Sequence, residues 1–321
     1  MDIQVLGALA VRENGISITP TAPKPRQVLA LLALHADQVV PVSALIEELW
    51  AGEPPRSART TLQTYVLQLR ALIATALERS EGVGRGAGEG EGDGGGDGER
   101  VGRTAKDILV TLPGGYLLSS GGGTLDVREF DRLAGTGYRA MDAGDFTGAA
   151  RLLREALTLW SGPAFADVQG GVQLDMETRR LEETRLCALD QRIEADLRLG
   201  RHRELLAELT VLASRYRTHE NLHGQFMLAL HRSGRRGEAL DVYQRLRGTL
   251  VRELGLEPSA ALRRLQRSIL MAGPESLPAG GVAGVGGVAG VDGGAGASGA
   301  GAVGGAVGVG MGPGGERLVR V

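Results

Sequence analysis

The sequence predicts a mainly α-helical protein with a small β component, in which an N-terminal domain of strands and helices is followed by a domain of helical hairpins. Three observations predict this fold class. Residues 2–20 alternate between apolar and polar side chains around Asn14-Gly15, as a β-hairpin does. Apolar residues at helical spacing follow between Pro25 and Ile73, and again throughout residues 125–271. The length of 321 residues suffices for about two domains.

Three helices are predicted after the first hairpin, because apolar residues recur there at helical spacing. The first follows Pro25, and the second follows a predicted N-cap at Ser43. The third is predicted close to Arg59–Leu72, after Ser57. The apolar stripe of this third helix consists of Leu62, Val66, Leu69 and Ile73.

A second pair of strands is predicted near residue 115. Ile108–Leu112 and Tyr116–Leu118 are apolar runs on either side of Pro113-Gly114-Gly115, whose residue types favour a tight turn. The order of sheet, three helices and hairpin is that of a winged helix-turn-helix domain, which is therefore predicted at residues 1–120. In such domains the third helix enters the major groove of DNA and the hairpin, or wing, contacts the backbone.

Many of the 51 glycines lie in two segments that lack apolar periodicity. Residues 81–106 are rich in Gly, Glu and Asp and are expected to form a disordered insertion before the wing. Residues 274–321 are rich in Gly, Ala and Val and are expected to form a disordered tail. Because frequent glycine leaves too little apolar surface for a spanning helix, no contact with a membrane is expected.

The stretch between these segments, residues 124–273, contains an internal repeat. Gly144, Gly200 and Gly234 each end one helical pattern just before the next begins, and the last two are 34 residues apart, which is the tetratricopeptide (TPR) period. A TPR-like domain of helical hairpins is therefore predicted. Such domains have no inherent chemistry and bind partners on their concave face.

The predicted third helix has the composition expected of a helix that approaches DNA. No acidic residue occurs from Pro54 to Leu77, and a helix that faces phosphates requires such an absence. Short polar side chains opposite the apolar stripe suit base edges, and flanking arginines suit phosphates. Any amphipathic helix has a polar face, so a purely structural helix is the alternative. The predicted DNA-binding residues are Arg56, Arg59, Thr60, Gln63, Thr64, Gln68 and Arg70, together with Gly115 and Tyr116 in the wing.

Several motifs occur in order along the chain. They are Pro23–His35, Leu49-Trp50 with Pro54-Pro55, Ala58–Val66 with Leu69-Arg70, Pro113–Leu117, Leu152–Pro163, Met227–Arg235 and Glu253–Pro258. Together these motifs resemble the Streptomyces antibiotic regulatory protein family, over residues 2–271 apart from the acidic insertion. The resemblance implies an OmpR-like winged helix joined to a bacterial transcriptional activation domain.

The resemblance implies a transcriptional activator that binds direct repeats near promoters, most simply as a homodimer on double-stranded DNA. It also implies recruitment of RNA polymerase and control of a secondary-metabolite, or antibiotic, gene cluster. One departure concerns Leu67-Gln68, where relatives often carry a polar residue and an arginine. The loss of that charge predicts weaker DNA binding.

Two other functions are consistent with parts of the sequence. The first is a TPR-like interaction scaffold without DNA binding, which Leu67-Gln68 and the acidic insertion favour. The second is a zinc peptidase, because His219-Glu220-Asn221-Leu222-His223 fits the His-Glu-x-x-His signature. No third metal ligand occurs at the usual spacings, so a packing role is expected for both histidines. Asp126 and Glu129 are expected to be solvated.

Composition limits the remaining possibilities. The net charge of −2 excludes a polycation, so DNA binding requires a local basic patch. One cysteine, Cys187, cannot form an internal disulfide, which is typical of a cytoplasmic protein, here one associated with the nucleoid. No phosphate-binding loop or catalytic arrangement is visible, so neither a cofactor nor an enzymatic activity is expected.

Overall fold

A computed structural model describes residues 1–85 and 103–271, with only the backbone described for residues 81–85. All of these residues belong to one compact unit, Met1–Val282. Most of the predicted insertion, residues 86–102, and the whole of the predicted tail, residues 274–321, lie outside the described residues. Within the described residues, no helix combines the length and the apolar character needed to cross a membrane.

The N-terminal part of the chain contains two small antiparallel sheets and three main helices. Asn14 and Gly15 have φ angles of 49° and 79°, so both central residues of the first hairpin turn adopt the left-handed conformation that the Asn-Gly pair favours. This confirms the predicted hairpin. The elements in chain order are β1 (Asp2–Gln4), β2 (Ala10–Glu13), β3 (Ile16–Ser17), α1 (Pro23–Leu34), β4 (Val39–Pro41), α2 (Val42–Trp50), α3 (Ala58–Arg85), α4 (Ala105–Ile108), β5 (Leu109–Leu112) and β6 (Gly115–Leu118).

The wing contains three strands rather than the two that the sequence predicts. β4 pairs antiparallel with β6, which in turn pairs with β5. A three-residue strand that ends in Pro41 has too short a pattern for sequence-based detection, and proline argues against a strand. The strand forms because β6 lies beside it, with Val40 opposite Tyr116. The wing is therefore joined to the loop between α1 and α2.

Two helix boundaries differ from the sequence prediction. α2 begins at Val42, after Pro41 in an extended conformation, and no side chain caps it, so the predicted N-cap at Ser43 is wrong. α3 is 28 residues long and continues well beyond Leu72. The short α4 overlaps the last two residues of the segment predicted as an insertion, residues 81–106. It forms because Thr104 and Asp107 make a reciprocal capping box at its start.

Between residues 103 and 271, the part of the chain that follows the wing folds into seven helices. Gly144, Gly200 and Gly234 have φ angles of 77°, 78° and 81°, which glycine adopts without strain at helix ends. Each lies between two consecutive helices, so the predicted helix-breaking role of all three is confirmed. The helices are α5 (Asp126–Asp142), α6 (Phe146–Thr158), α7 (Val172–Arg198), α8 (His202–Arg215), α9 (Glu220–Arg232), α10 (Arg236–Leu254) and α11 (Ala260–Met271).

The winged helix and the first helices of the C-terminal part share one apolar core. Phe130 of α5 is fully buried and meets the edge of the Trp160 ring at a centroid distance of 5.6 Å. Both belong to the same cluster of buried side chains as Leu32 of α1 and Leu62 of α3. Helices α8 to α11, with the end of α7, form a second core. Residues 1–120 thus lack part of their own core when isolated.

Buried carboxylates also join the two parts. Glu48 in α2 is 2% exposed, and its carboxylate accepts hydrogen bonds from the backbone N–H groups of Gly171, Gln173 (2.9 Å) and Leu174 (3.1 Å). These N–H groups belong to the first turn of α7 and its N-cap, which otherwise lack acceptors. Gln27 donates to the same carboxylate at 2.9 Å. A side chain of the winged helix therefore caps a helix of the C-terminal part.

Asp126 makes the corresponding contact at the start of α5. Its carboxylate accepts hydrogen bonds from the backbone N–H groups of Val5 (2.8 Å) and Leu6 (2.9 Å). Burial raises the pKa of this carboxyl, and the hydrogen bonds only partly oppose that effect. The expectation that Asp126 is solvated is therefore wrong, because it joins α5 to the loop after β1.

Candidate nucleic-acid interface

α3 has two faces of opposite character. Its apolar stripe is at most 2% exposed and packs into the shared core. The opposite arc carries no acidic side chain from Pro54 to Leu77. The solvent-exposed residues of this arc, called the exposed arc below, include Arg59, Thr60, Gln63, Thr64, Leu67 and Gln68.

Most polar groups of the exposed arc are available to a ligand. The amides of Gln63 and Gln68 form no side-chain hydrogen bond with any other residue that the structure describes. A glutamine amide can donate and accept at once, which matches the adenine edge in the major groove. The hydroxyl of Thr64 differs, because it donates to the carbonyl of Thr60 at 3.1 Å. Among the side chains predicted to contact bases, those of Gln63 and Gln68 are therefore the best placed to do so.

Two arginines lie at the start of α3 without an acidic partner. Arg56, in the turn before the helix, and Arg59, in its first turn, are exposed and form no ion pair within residues 1–85 and 103–271. The N-terminus of a helix adds a partial positive charge. Unpaired guanidinium groups beside such a helix end are suited to bind phosphates.

Arg70 has a different role from the phosphate contact that its position predicts. Its Nε and Nη2 donate to the carbonyl of Leu109 at 3.0 and 2.7 Å, and Nη2 also donates to the hydroxyl of Thr111 at 2.7 Å. Both acceptors belong to β5. The guanidinium therefore fixes the wing against α3, and we assign Arg70 as a positioning residue.

The structure places Gly115 and Tyr116 in the interior and not on the wing surface. Tyr116 is 7% exposed and belongs to the shared core. A Cβ atom on Gly115 would lie 2.6 Å from the carbonyl oxygen of Val40, so only glycine permits the pairing of β6 with β4 there. The exposed tip of the wing consists of residues that sequence reasoning missed, namely Thr111, Pro113 and Gly114. Their turn composition predicts a loop but does not indicate which side of it faces outward.

The His-Glu-x-x-His segment begins α9 and is used for packing. The Nδ1 atom of His219 accepts from the N–H of Leu222 (3.3 Å), and His223 bonds through Nδ1 to the carbonyl of His219 (3.0 Å). The carboxylate of Glu220 accepts from the N–H of Ser259 (2.7 Å). Burial lowers the pKa of His223 and favours its neutral form. No group of three potential metal ligands occurs among the residues that the structure covers.

Comparison with known proteins identifies both parts of the chain. Residues 17–84 match the family described as transcriptional regulatory protein, C terminal, and residues 125–270 match the bacterial transcriptional activator domain. The chain is 50% identical over 274 residues to the regulatory protein DnrI of Streptomyces peucetius, which covers 85% of this chain and 93% of DnrI. The chain belongs to the Streptomyces antibiotic regulatory protein family.

Other relatives are longer than the region over which this chain matches them. The regulatory protein AfsR of Streptomyces coelicolor is 35% identical over 84% of this chain, which spans 24% of AfsR. A solved structure of Mycobacterium tuberculosis EmbR in complex with a low-affinity phosphopeptide is 30% identical, with a TM-score of 0.71 over 87% of this chain and 66% of that chain. These similarities confirm the predicted fold class and the function of a DNA-binding transcriptional activator.

Proposed function

We propose that this protein activates a secondary-metabolite, or antibiotic, gene cluster by binding direct repeats near promoters as a homodimer and recruiting RNA polymerase. The observation that carries the proposal is the acid-free exposed arc of α3, flanked by Arg56 and Arg59, neither of which forms an ion pair with a residue that the structure describes. Membership of the antibiotic regulatory protein family supports the choice of target genes.

The arrangement of side chains supports a division of labour on DNA. Gln63 and Gln68, with Thr60, read base edges in the major groove, because their polar groups point away from the core. Arg56 and Arg59 bind phosphates and supply affinity that is independent of sequence. The wing tip at Thr111 contacts the backbone, and Arg70 holds the wing in place for that contact.

The connection between the two parts supports the recruitment step. Glu48 and the shared core fix α7 against α2, and α2 precedes the helix that contacts DNA. A rigid connection presents the activation domain to polymerase in one orientation relative to the promoter. Direct repeats would then place successive protomers in the same orientation along the DNA.

An electrophoretic shift assay with the full chain tests the proposal on promoters from its own gene neighbourhood. We expect sequence-specific binding, with log affinity falling against log salt by a slope of roughly 0.9 per phosphate neutralised. Arg59→Ala should weaken binding to all sequences, and Gln63→Ala should change sequence preference. Indifference to sequence at moderate salt would favour the interaction scaffold. Equal effects of both variants on cognate and random DNA would contradict the division of labour.

Transcription in vitro tests the homodimer and the polymerase contact. We expect two protomers on a promoter with two repeats, measured by mass photometry, and transcription by purified RNA polymerase that depends on both repeats. We also propose that the protein acts at the nucleoid in the cytoplasm and uses neither a metal nor a catalytic step. Stoichiometric zinc in the purified protein, measured by plasma mass spectrometry, would contradict that last point.

A further inference from the structure

Leu67 is an apolar side chain at the centre of the exposed arc of α3. It is 63% exposed, whereas the stripe that anchors the helix is complete without it. Leucine exposed in isolation is common on protein surfaces and needs no explanation. Leu67 differs because it lies one helical turn after Gln63 and Thr64, on the surface proposed to face DNA bases.

The neighbours of Leu67 extend this apolar character along the helix. Ala71 is exposed one turn later and offers only a methyl group. The hydroxyls of Thr64 and Thr75 donate to the carbonyls of Thr60 (3.1 Å) and Ala71 (3.0 Å), so their donors are used within the helix. The middle of the exposed arc therefore presents an apolar surface, and the amides of Gln63 and Gln68 lie beside it.

The major groove offers one apolar group to such a surface, the C5 methyl of thymine. Cytosine presents an amino donor at the neighbouring position, and both purines present N7 acceptors. Leucine cannot satisfy those polar groups, so burying it against them would leave them without partners. A thymine methyl instead gains contact when both apolar surfaces lose water.

We propose that Leu67, with Ala71 beside it, forms a subsite for the C5 methyl group of thymine in the recognised DNA. This inference rests on the proposed function, because it requires α3 to enter the major groove. It gives Leu67 a role in specificity. The absence of a charge at this position therefore changes which base is preferred, in addition to any effect on overall affinity.

Base analogues that differ only in the methyl group test the subsite. The full chain is first footprinted on a promoter that it binds, and each protected thymine is then replaced singly by uracil, which keeps the base pairing. Burial of one methyl group corresponds to a factor of about four in affinity. We expect a loss of that size at one or two thymines. Cytosine at the same position should bind more weakly than 5-methylcytosine by a similar factor.

Protein variants assign the methyl contact to Leu67. In Leu67→Ala, the ratio of thymine to uracil affinities should fall to about one, as expected when the two partners of a contact are coupled. Leu72→Ala is the matched control, because Leu72 is 36% exposed but lies about 140° around the helix from Leu67. The control should keep the fourfold ratio.

Three results would overturn the subsite. A specific footprint without any uracil-sensitive thymine would exclude methyl recognition while leaving the proposed function intact. An unchanged ratio in Leu67→Ala would show that another residue contacts the methyl. Absence of a specific footprint would overturn the proposed function itself, and the subsite with it.

Discussion

Replacement of Glu48 tests whether the winged helix and the activation domain fold as one unit. The carboxylate caps the N-terminus of α7 from within α2 and is 2% exposed. Glu48→Ala removes the acceptor of three backbone N–H groups. Gln27 loses one of the two hydrogen bonds that its amide nitrogen donates, but it still donates to the backbone carbonyl of residue 48 at 2.8 Å.

The structure sets the size of the expected effect. A hydrogen bond to a charged group contributes about 1.5–3 kcal/mol, and a buried N–H without a partner costs about 1–3 kcal/mol. Only Leu174 is buried among the three donors, whereas Gly171 and Gln173 are partly exposed, so water replaces part of the loss. We therefore expect Glu48→Ala to lower the free energy of unfolding by about 3 kcal/mol, near the low end of the summed contributions. Glu48→Gln keeps one acceptor oxygen and should lose about half as much.

Urea unfolding followed by circular dichroism measures this change. With a slope of about 3 kcal/mol per molar urea, the midpoint should shift by about 1 M in Glu48→Ala. Glu47→Ala is the matched control. The carboxylate of Glu47 is exposed, and the one hydrogen bond that it forms within the described residues is long, at 3.4 Å from the Gln173 amide. The control should change the free energy of unfolding by less than about 0.5 kcal/mol. Equal shifts in the two variants would refute the capping role of Glu48.

Three further predictions concern the wing, the histidines and the acidic segment. Arg70→Ala should speed amide hydrogen exchange in β5 and weaken DNA binding without changing base preference, because the wing loses its three hydrogen bonds to α3. A changed preference would instead indicate a base contact. Burial lowers the pKa of His223 below its ordinary 6.5, so the unfolded chain takes up a proton first and stability falls as the pH drops below 6.5. His223→Gln should reduce that loss between pH 7.5 and 5.5 in urea unfolding, and an unchanged loss would contradict it. Replacing the acids of residues 86–102 by their amides should change DNA affinity at 0.15 M salt by less than about twofold, measured by shift assay, because screening is strong at that salt.

The sequence predicted the architecture well where the signal was local. Asn14-Gly15 determines its own turn, and Gly144 ends a helix through its own φ angle. The apolar stripe of α3 is likewise a property of spacing within one segment. β4 was missed because its three residues become a strand only through pairing with β6, which lies more than 70 residues later.

The candidate site was likewise predictable where its residues follow from the pattern of one segment, and not where they depend on packing between segments. Helical periodicity indicates correctly that Gln63 and Gln68 are exposed, because the core face of α3 is clear from the sequence. It does not show that Arg70 turns towards Leu109, since this contact depends on how β5 packs against the helix. Charge patterning also fails to predict the burial of Glu48, because the sequence does not distinguish this residue from the exposed Glu47 beside it.

The length of α3 reconciles DNA binding with the acidic segment that follows it. Leu67 lies in the first half of the helix, whereas Arg85, the last residue of α3, lies about 27 Å further along its axis. Ser80, near that end, accepts a hydrogen bond from Asn14 at 3.0 Å, which fixes the distal part of α3 against the first hairpin. The end of α3 at Arg85 therefore lies about three Debye lengths from the proposed base-reading surface at physiological salt. An acidic insertion after this point of the chain is compatible with the proposed phosphate contacts at the other end of the helix.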